Sequence, residues 1–260
     1  MVYIVTIVPI VKINYNMSQG EFLVMAEAEH CSIFITRYRA ALFDMDGVIM
    51  DTMPLHLKAW QEAFEPWGVD VSRMDLYIRE GLQSPAMARE IARAKGKSFS
   101  AEDLGKIVAA KGELFDREAP ACARAFEGAA ETLRMLRNHG LKTALVTGSR
   151  GISARKVLAA AGVLTLFDVI VTGDDTEKGK PDPDPYLKGI EKTHVNRLDC
   201  VVVENAPLGI RSAKAAGVDY VIAVTTSLGR EYLTEADDIM GSIAGLEQCL
   251  ARRFAAHPPV

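Results

Sequence analysis

Short, mostly apolar runs, uniformly so at 40–43, alternate along this chain with longer stretches in which apolar residues recur every three to four positions. The short runs, at 40–43, 142–146, 167–172, 200–203 and 220–224, lack the in–out alternation of a half-exposed strand. They predict parallel strands covered on both faces. Helical patterns at 129–139, 153–161 and 208–216 lie between them, stopped by Gly140, Gly162 and Gly217, and a final helix is expected over 243–254. Such alternation predicts an α/β fold, a Rossmann-like parallel sheet wound with helices.

One long stretch departs from this rhythm. From 54 to 121 the pattern is helical only, with patches at 85–95 and 101–117. A helix before them runs to about residue 65, with Asp51 or Thr52 as its cap and Pro54 in its first turn. This predicts a small all-helical cap domain inserted after the first strand, the core domain comprising 37–53 and 122–260.

Residues 1–36 read as an N-terminal extension that is expected to be dispensable. Met1 to Ile13 is strongly apolar but is interrupted by Pro9 and Lys12, is too short to span a bilayer and lacks the basic start of a signal peptide. Its β-branched residues suit an added strand or hairpin. Met17 and Met25 as alternative starts suit an over-extended reading frame.

Composition narrows the class. The 260 residues are 49% hydrophobic and 25% charged with a net charge of -4, which fits an ordinary soluble globular protein and gives no electrostatic footprint for nucleic acid. No membrane partner is expected. The four scattered cysteines, without a CxxC pair, read as reduced thiols of a cytoplasmic protein, and the chain is expected as a monomer or weak homodimer.

The candidate chemistry sits where apolar runs end. Asp44 and Asp46, two apart on an extended strand, point to one side, and Gly47 lets the chain turn away. Two carboxylates in one small volume need a cation, a proton or hydrogen bonds, and Mg²⁺ is the natural partner. A surface Asp-x-Asp-Gly turn is the alternative reading. Thr147-Gly148-Ser149 and Glu204-Asn205 end two other strands, and Lys180 stands just before Pro181-Asp182-Pro183, which opens a helix. Because parallel sheets bind ligands outside the carboxyl ends of their strands, these groups are expected on one rim. Together they supply a carboxylate nucleophile, a second carboxylate for proton transfer, cation ligands and phosphate donors, the parts of a phosphoryl-transfer site. His56 and Trp60, four apart, share a helix face, a spacing that by itself reads as a surface histidine beside a packed tryptophan.

The motifs DMDGV at 44–48, TGS at 147–149, GKPDP at 179–183 and VVENAPLG at 202–209 occur in an order that resembles the haloacid dehalogenase superfamily, in its β-phosphoglucomutase-like branch of phosphatases and phosphohexomutases. The resemblance implies that Asp44 attacks phosphorus and Asp46 is the acid and base. It implies that Thr147 and Lys180 hold the phosphoryl group, with Gly81, Gly148 and Ser149 beside the substrate. His56 and Trp60 would then face the substrate. Mg²⁺ would sit on Asp44, the Asp46 carbonyl and the Glu204-Asn205 corner.

Two departures matter. Asn205 stands where the family often has a carboxylate, so either its amide oxygen ligates Mg²⁺ or Glu204 alone supplies the side-chain ligand. The cap arginine with which the mutase holds a second phosphate is missing from Glu80-Gly81-Leu82-Gln83-Ser84, leaving Arg79 or Arg89 as substitutes. The expected function is a Mg²⁺-dependent phosphatase of a small phosphorylated metabolite, a sugar phosphate. The alternatives are a β-phosphoglucomutase and a catalytically silent phosphate-binding regulator.

Overall fold

The computed structural model describes residues 37–256; the reading of residues 1–36 falls outside them. Six strands, β1 (Ala40–Phe43), β2 (Lys142–Val146), β3 (Val169–Val171), β4 (Cys200–Glu204), β5 (Tyr220–Val224) and β6 (Asp238–Met240), form one sheet in the order β3-β2-β1-β4-β5-β6. Every pairing is parallel. The chain leaves β1 toward β2 and β3, then crosses back to place β4 on the other side of β1. The crevice outside the carboxyl ends of β1 and β4 is therefore the topological switch point, where parallel sheets bind ligands.

The central strands β1 and β4 are buried throughout because both faces are covered. On one face Ala41, Phe43, Leu145, Val201 and Val203 pack in a common core with residues of α5 (Ala129–Asn138), α6 (Gly151–Ala160) and α9 (Ile243–Ala256). On the other face Ala40, Leu42, Ala144, Val146 and Val202 meet α7 (Asp184–Thr193) and α8 (Pro207–Ala215).

Between β1 and β2 the chain is helical, as expected: α1 (Met53–Phe64), α2 (Arg73–Tyr77), α3 (Ser84–Ala94) and α4 (Ala101–Cys122). These helices enclose their own core of Trp60, Phe64, Leu76, Met87, Ile91 and Ile107. Both α2 and β6 escape the sequence pattern, being only five and three residues long. A capping box between Ser72 and Asp75 starts α2, a local polar signal rather than a periodic one. No helix among the described residues is long and apolar enough to cross a membrane. Cys122 and Cys200 are free thiols.

The close seating of α7 on the sheet depends on Gly189. A Cβ there would lie 2.8 Å from Leu42 Cδ2 and 3.0 Å from Val146 Cγ2. Gly189→Ala is expected to lift α7 and destabilise the fold by about 1–3 kcal/mol, read from the urea midpoint. An unchanged midpoint would mean that this contact yields freely.

Candidate active site

The first strand delivers both carboxylates. Asp44 continues the β1 ladder by donating its N–H to the Val203 carbonyl (3.0 Å), and Gly47 then turns the chain at φ +89°. A side chain could not stand at residue 47, because its Cβ would fall 2.1 Å from Asn205 Nδ2. Asp44 and Asp46 are 4% and 7% exposed, which excludes the surface-turn reading of this motif.

Asp44 sits in a charge cluster. Lys180 Nζ donates to Asp44 Oδ1 and to Glu204 Oε1, each at 2.5 Å. Tyr186 of α7 donates to the same Glu204 oxygen (2.8 Å), while Glu204 Oε2 accepts the N–H groups of Asn205 and Ala206. Burial opposes the charge on Lys180, but the Asp44 and Glu204 carboxylates outweigh it and raise its pKa. Burial also pushes Asp44 up, to about 8; Lys180 opposes the shift, and Glu204 and Asp46 add to it.

Asp46 lies in a different environment. Its Oδ1 accepts from Thr52 Oγ1 (2.5 Å) and faces His56 Nε2 (3.0 Å). Its Oδ2 accepts from Ser149 Oγ (3.1 Å) and, at 3.4 Å, from Thr147 Oγ1. Thr52 makes no side-chain cap on α1, contrary to the expected capping role, because its hydroxyl serves Asp46 instead. Lys111 Nζ lies 3.0 Å from His56 Nδ1. An ammonium can only donate, so Nδ1 accepts and Nε2 carries the proton given to Asp46. Burial pulls Lys111 down to about 8. Burial alone would raise Asp46, yet the His56 imidazole, the Thr52 hydroxyl and the Lys111 charge hold it at about 2.

A third feature joins Glu80 to this centre. Asn205 Nδ2 lies within hydrogen-bond reach of Glu80 Oε2 (2.9 Å), the Asp46 carbonyl (3.1 Å) and Ser227 Oγ (2.8 Å), which share its two hydrogens. Burial, followed by Asp44, Asp46 and Glu204, raises the Glu80 pKa well above its ordinary value. Only four buried side-chain polar atoms lack a partner among the described residues, and three of them are here: Asp44 Oδ2, Glu80 Oε1 and Asn205 Oδ1.

These orphaned oxygens fit a hard cation. Three carboxylates, Asp44, Glu80 and Glu204, surround the single ammonium of Lys180, and a dication would offset the surplus. The described residues hold no preformed cage of His, Cys, Asp or Glu ligands. Mg²⁺ is commonly bound without one, through one or two carboxylates together with water and substrate oxygens. Both Glu204 oxygens are engaged, so its charge reaches the site through Lys180.

Asp44, Asp46, His56, Trp60, Gly81, Thr147, Gly148 and Ser149 all line one cavity of about 450 Å³. Lys180, Glu204 and Asn205 stand behind its floor, joined to it by the bonds above. His56 is buried and stacks on Phe115 at 4.1 Å, so it is not the surface histidine that its spacing alone suggests. Gly81, at φ +93°, lies against the Lys180 stem, where a Cβ would approach Cδ to 2.8 Å.

The model of the haloacid dehalogenase-like hydrolases matches residues 41–223. The chain belongs to that family. It is 34% identical over 206 residues to a validoxylamine A 7'-phosphate phosphatase of Streptomyces hygroscopicus subsp. limoneus, covering 78% of this chain and 93% of the relative. It is 31% identical over 189 residues to the fructose-1-phosphate phosphatase YqaB of Escherichia coli K12, covering 71% and 96%. A candidate β-phosphoglucomutase of Bacteroides vulgatus superposes with a TM-score of 0.73 at 31% identity, over 83% of this chain and 89% of that one.

Within this haloacid dehalogenase-like site, sequence reasoning missed Lys111, Tyr186, Glu80 and the second role of Thr52. Lys111 had a readable signal: on α4 it falls in the buried stripe Ile107, Lys111, Phe115, Ala119, and a lysine on such a stripe needs a reason. Glu80 lies in a non-periodic turn and carried none.

The raised Asp44 pKa sets a pH dependence. Between its ordinary 3.8 and about 8 the folded chain holds a proton that the unfolded chain has lost, so wild-type stability falls as pH rises through this window. Asp44→Asn carries no such charge. In chelator at pH 8 it is expected to melt about 2–6 °C above wild type, the gap closing near pH 4 and shrinking when Mg²⁺ is added. A gap independent of pH would contradict the charge crowding.

Proposed function

We propose that this chain is a Mg²⁺-dependent phosphatase of a small phosphorylated metabolite of the sugar-phosphate type, working through an aspartyl-phosphate on Asp44. The Asp44 carboxylate carries the reading. Lys180 pins one oxygen, while the other is buried and unpartnered in a residue that lines the cavity. Names of both bacterial relatives specify a phosphate ester, one of them of a sugar.

Asp44 gives up its proton to solvent when a dication would offset the crowded charge; its Oδ2 then forms the new O–P bond as the ester O–P bond breaks, and the leaving oxygen takes a proton from Asp46. Water then attacks phosphorus and gives its proton to Asp46. The bond to Oδ2 breaks, returning the carboxylate and releasing phosphate. Asp46 rests ionised at its lowered pKa, so its acid role requires the substrate's negative charge to raise its proton affinity; its base role requires no such help. Lys111, through His56, is placed to restore that proton. Thr147 and Ser149 donate to Asp46 in the resting site and turn to the phosphoryl oxygens when these arrive. The oxygens of Asp44 and Asn205 and the Asp46 carbonyl would hold Mg²⁺, which when bound supplies positive charge against the phosphoryl oxygens. Helices α1–α4 close over the cavity and keep water from the first step.

The cavity favours hydrolysis over mutase chemistry, which must grip a second phosphate. Arg79 donates to the Asp75 carbonyl (2.9 Å), and neither Arg79 nor Arg89 lines the cavity, so neither replaces the missing cap arginine. Lys111 is bound to His56, and Arg150 at the rim is paired with Asp116 (2.6 Å).

Purified protein with Mg²⁺ and a panel of sugar phosphates, including β-glucose 1-phosphate with a bisphosphate primer, is expected to release free phosphate. Asp44→Asn should lower the rate by at least about 10³-fold. Glucose 6-phosphate formed without free phosphate would establish the mutase instead. Phosphate-analogue binding without turnover of any panel member would favour the silent regulator.

A further inference from the structure

We propose that Glu80, a residue of the helical insert, is the second carboxylate of the cation site, standing in for the one that Asn205 lacks. The inference deepens the proposed function and rests on its Mg²⁺ site.

Three side chains of this centre are in the same condition, each with one polar atom held and one oxygen free; Asp44 and Glu80 line the one cavity, and Asn205 is bonded to Glu80. Asp44 is held at Oδ1 by Lys180 and is free at Oδ2. Asn205 is held through Nδ2 by three acceptors and is free at Oδ1. Glu80 is held at Oε2 by that same amide and is free at Oε1. All three residues are more than nine-tenths buried, and a buried oxygen without a donor is costly unless a cation or proton supplies the missing partner.

Glu204 cannot fill the vacant ligand role cheaply. Its Oε1 serves Lys180 and Tyr186, and its Oε2 serves two main-chain N–H groups. A site limited to Asp44 and Asn205 would leave one free carboxylate, whereas Glu80 Oε1 brings a second negative oxygen. The Asn205 amide does what an aspartate at that position could not: it donates to the Glu80 carboxylate and aims it.

Glu80 lies between α2 and α3, while Asp44 and Asn205 follow the central strands β1 and β4. The cation site therefore spans the insert and the sheet. Lifting the insert removes one carboxylate, so metal retention depends on the closed arrangement.

The test is Mn²⁺ titration of substrate-free protein, following free ion by electron paramagnetic resonance. Glu80→Gln keeps an oxygen for the Asn205 amide and removes only the charge; it is expected to weaken Mn²⁺ binding at least tenfold. Asn205→Asp in the Glu80→Gln background returns the carboxylate from the strand side and is expected to restore affinity to within about threefold of wild type. Wild-type affinity in Glu80→Gln, or no recovery in the double variant, would overturn the assignment of Glu80 while leaving the phosphatase reading intact. A wild-type protein that binds no Mn²⁺ would overturn both the assignment and the metal dependence beneath it.

Discussion

The site depends on one buried ammonium placed among too many carboxylates. Sheet topology forces the crowding: Phe43 pairs with Val203, so the next residues, Asp44 and Glu204, leave adjacent strands side by side. Lys180, 1% exposed, reaches back from the β3–α7 connection to bridge them. In a low-dielectric interior, charges this close are tolerated only when paired and hydrogen-bonded. Glu204 meets that condition with Tyr186 and two main-chain donors; Asp44 and Glu80 do not. The residual negative charge is what suits the centre to the dication of the proposed function.

Two aspartates two residues apart are driven in opposite directions by this arrangement. Asp44 shares a dry pocket with other carboxylates and is pushed up to about 8. Asp46 is buried as well, but His56, Thr52 and the nearby charge of Lys111 outweigh burial and hold it at about 2. Environments that push two like groups apart are how one site assigns different tasks to identical side chains. The insert contributes to the second of these settings, through His56 and Lys111. It therefore conditions the chemistry as well as covering it.

Much of this was readable before the fold was known, for physical reasons that differ by element. The central strands were legible because burial on both faces leaves a run such as Ala40–Phe43 without polar interruption. The rim residues were legible because parallel topology brings strand ends together whatever their separation in the chain, as with Asp44 and Glu204. Periodicity carries no information about three-residue β6 or five-residue α2, which exist through edge pairing and a capping box. It was equally silent on Glu80, whose position depends on how a turn of the insert docks on Lys180. His56 was misread from spacing alone, since only the closure of α4 over α1 buries it against Phe115 and Lys111.

The proposed function rests on a covalent bond formed at Asp44. The most direct measurement is to quench the enzyme during steady hydrolysis of its best sugar phosphate, reduce with borohydride and sequence the peptides by mass spectrometry. An acyl-phosphate is reduced to an alcohol, so homoserine at position 44 alone, absent without substrate, is the predicted result. Sustained phosphate release with an unmodified Asp44, or with the label at another carboxylate, would contradict the account.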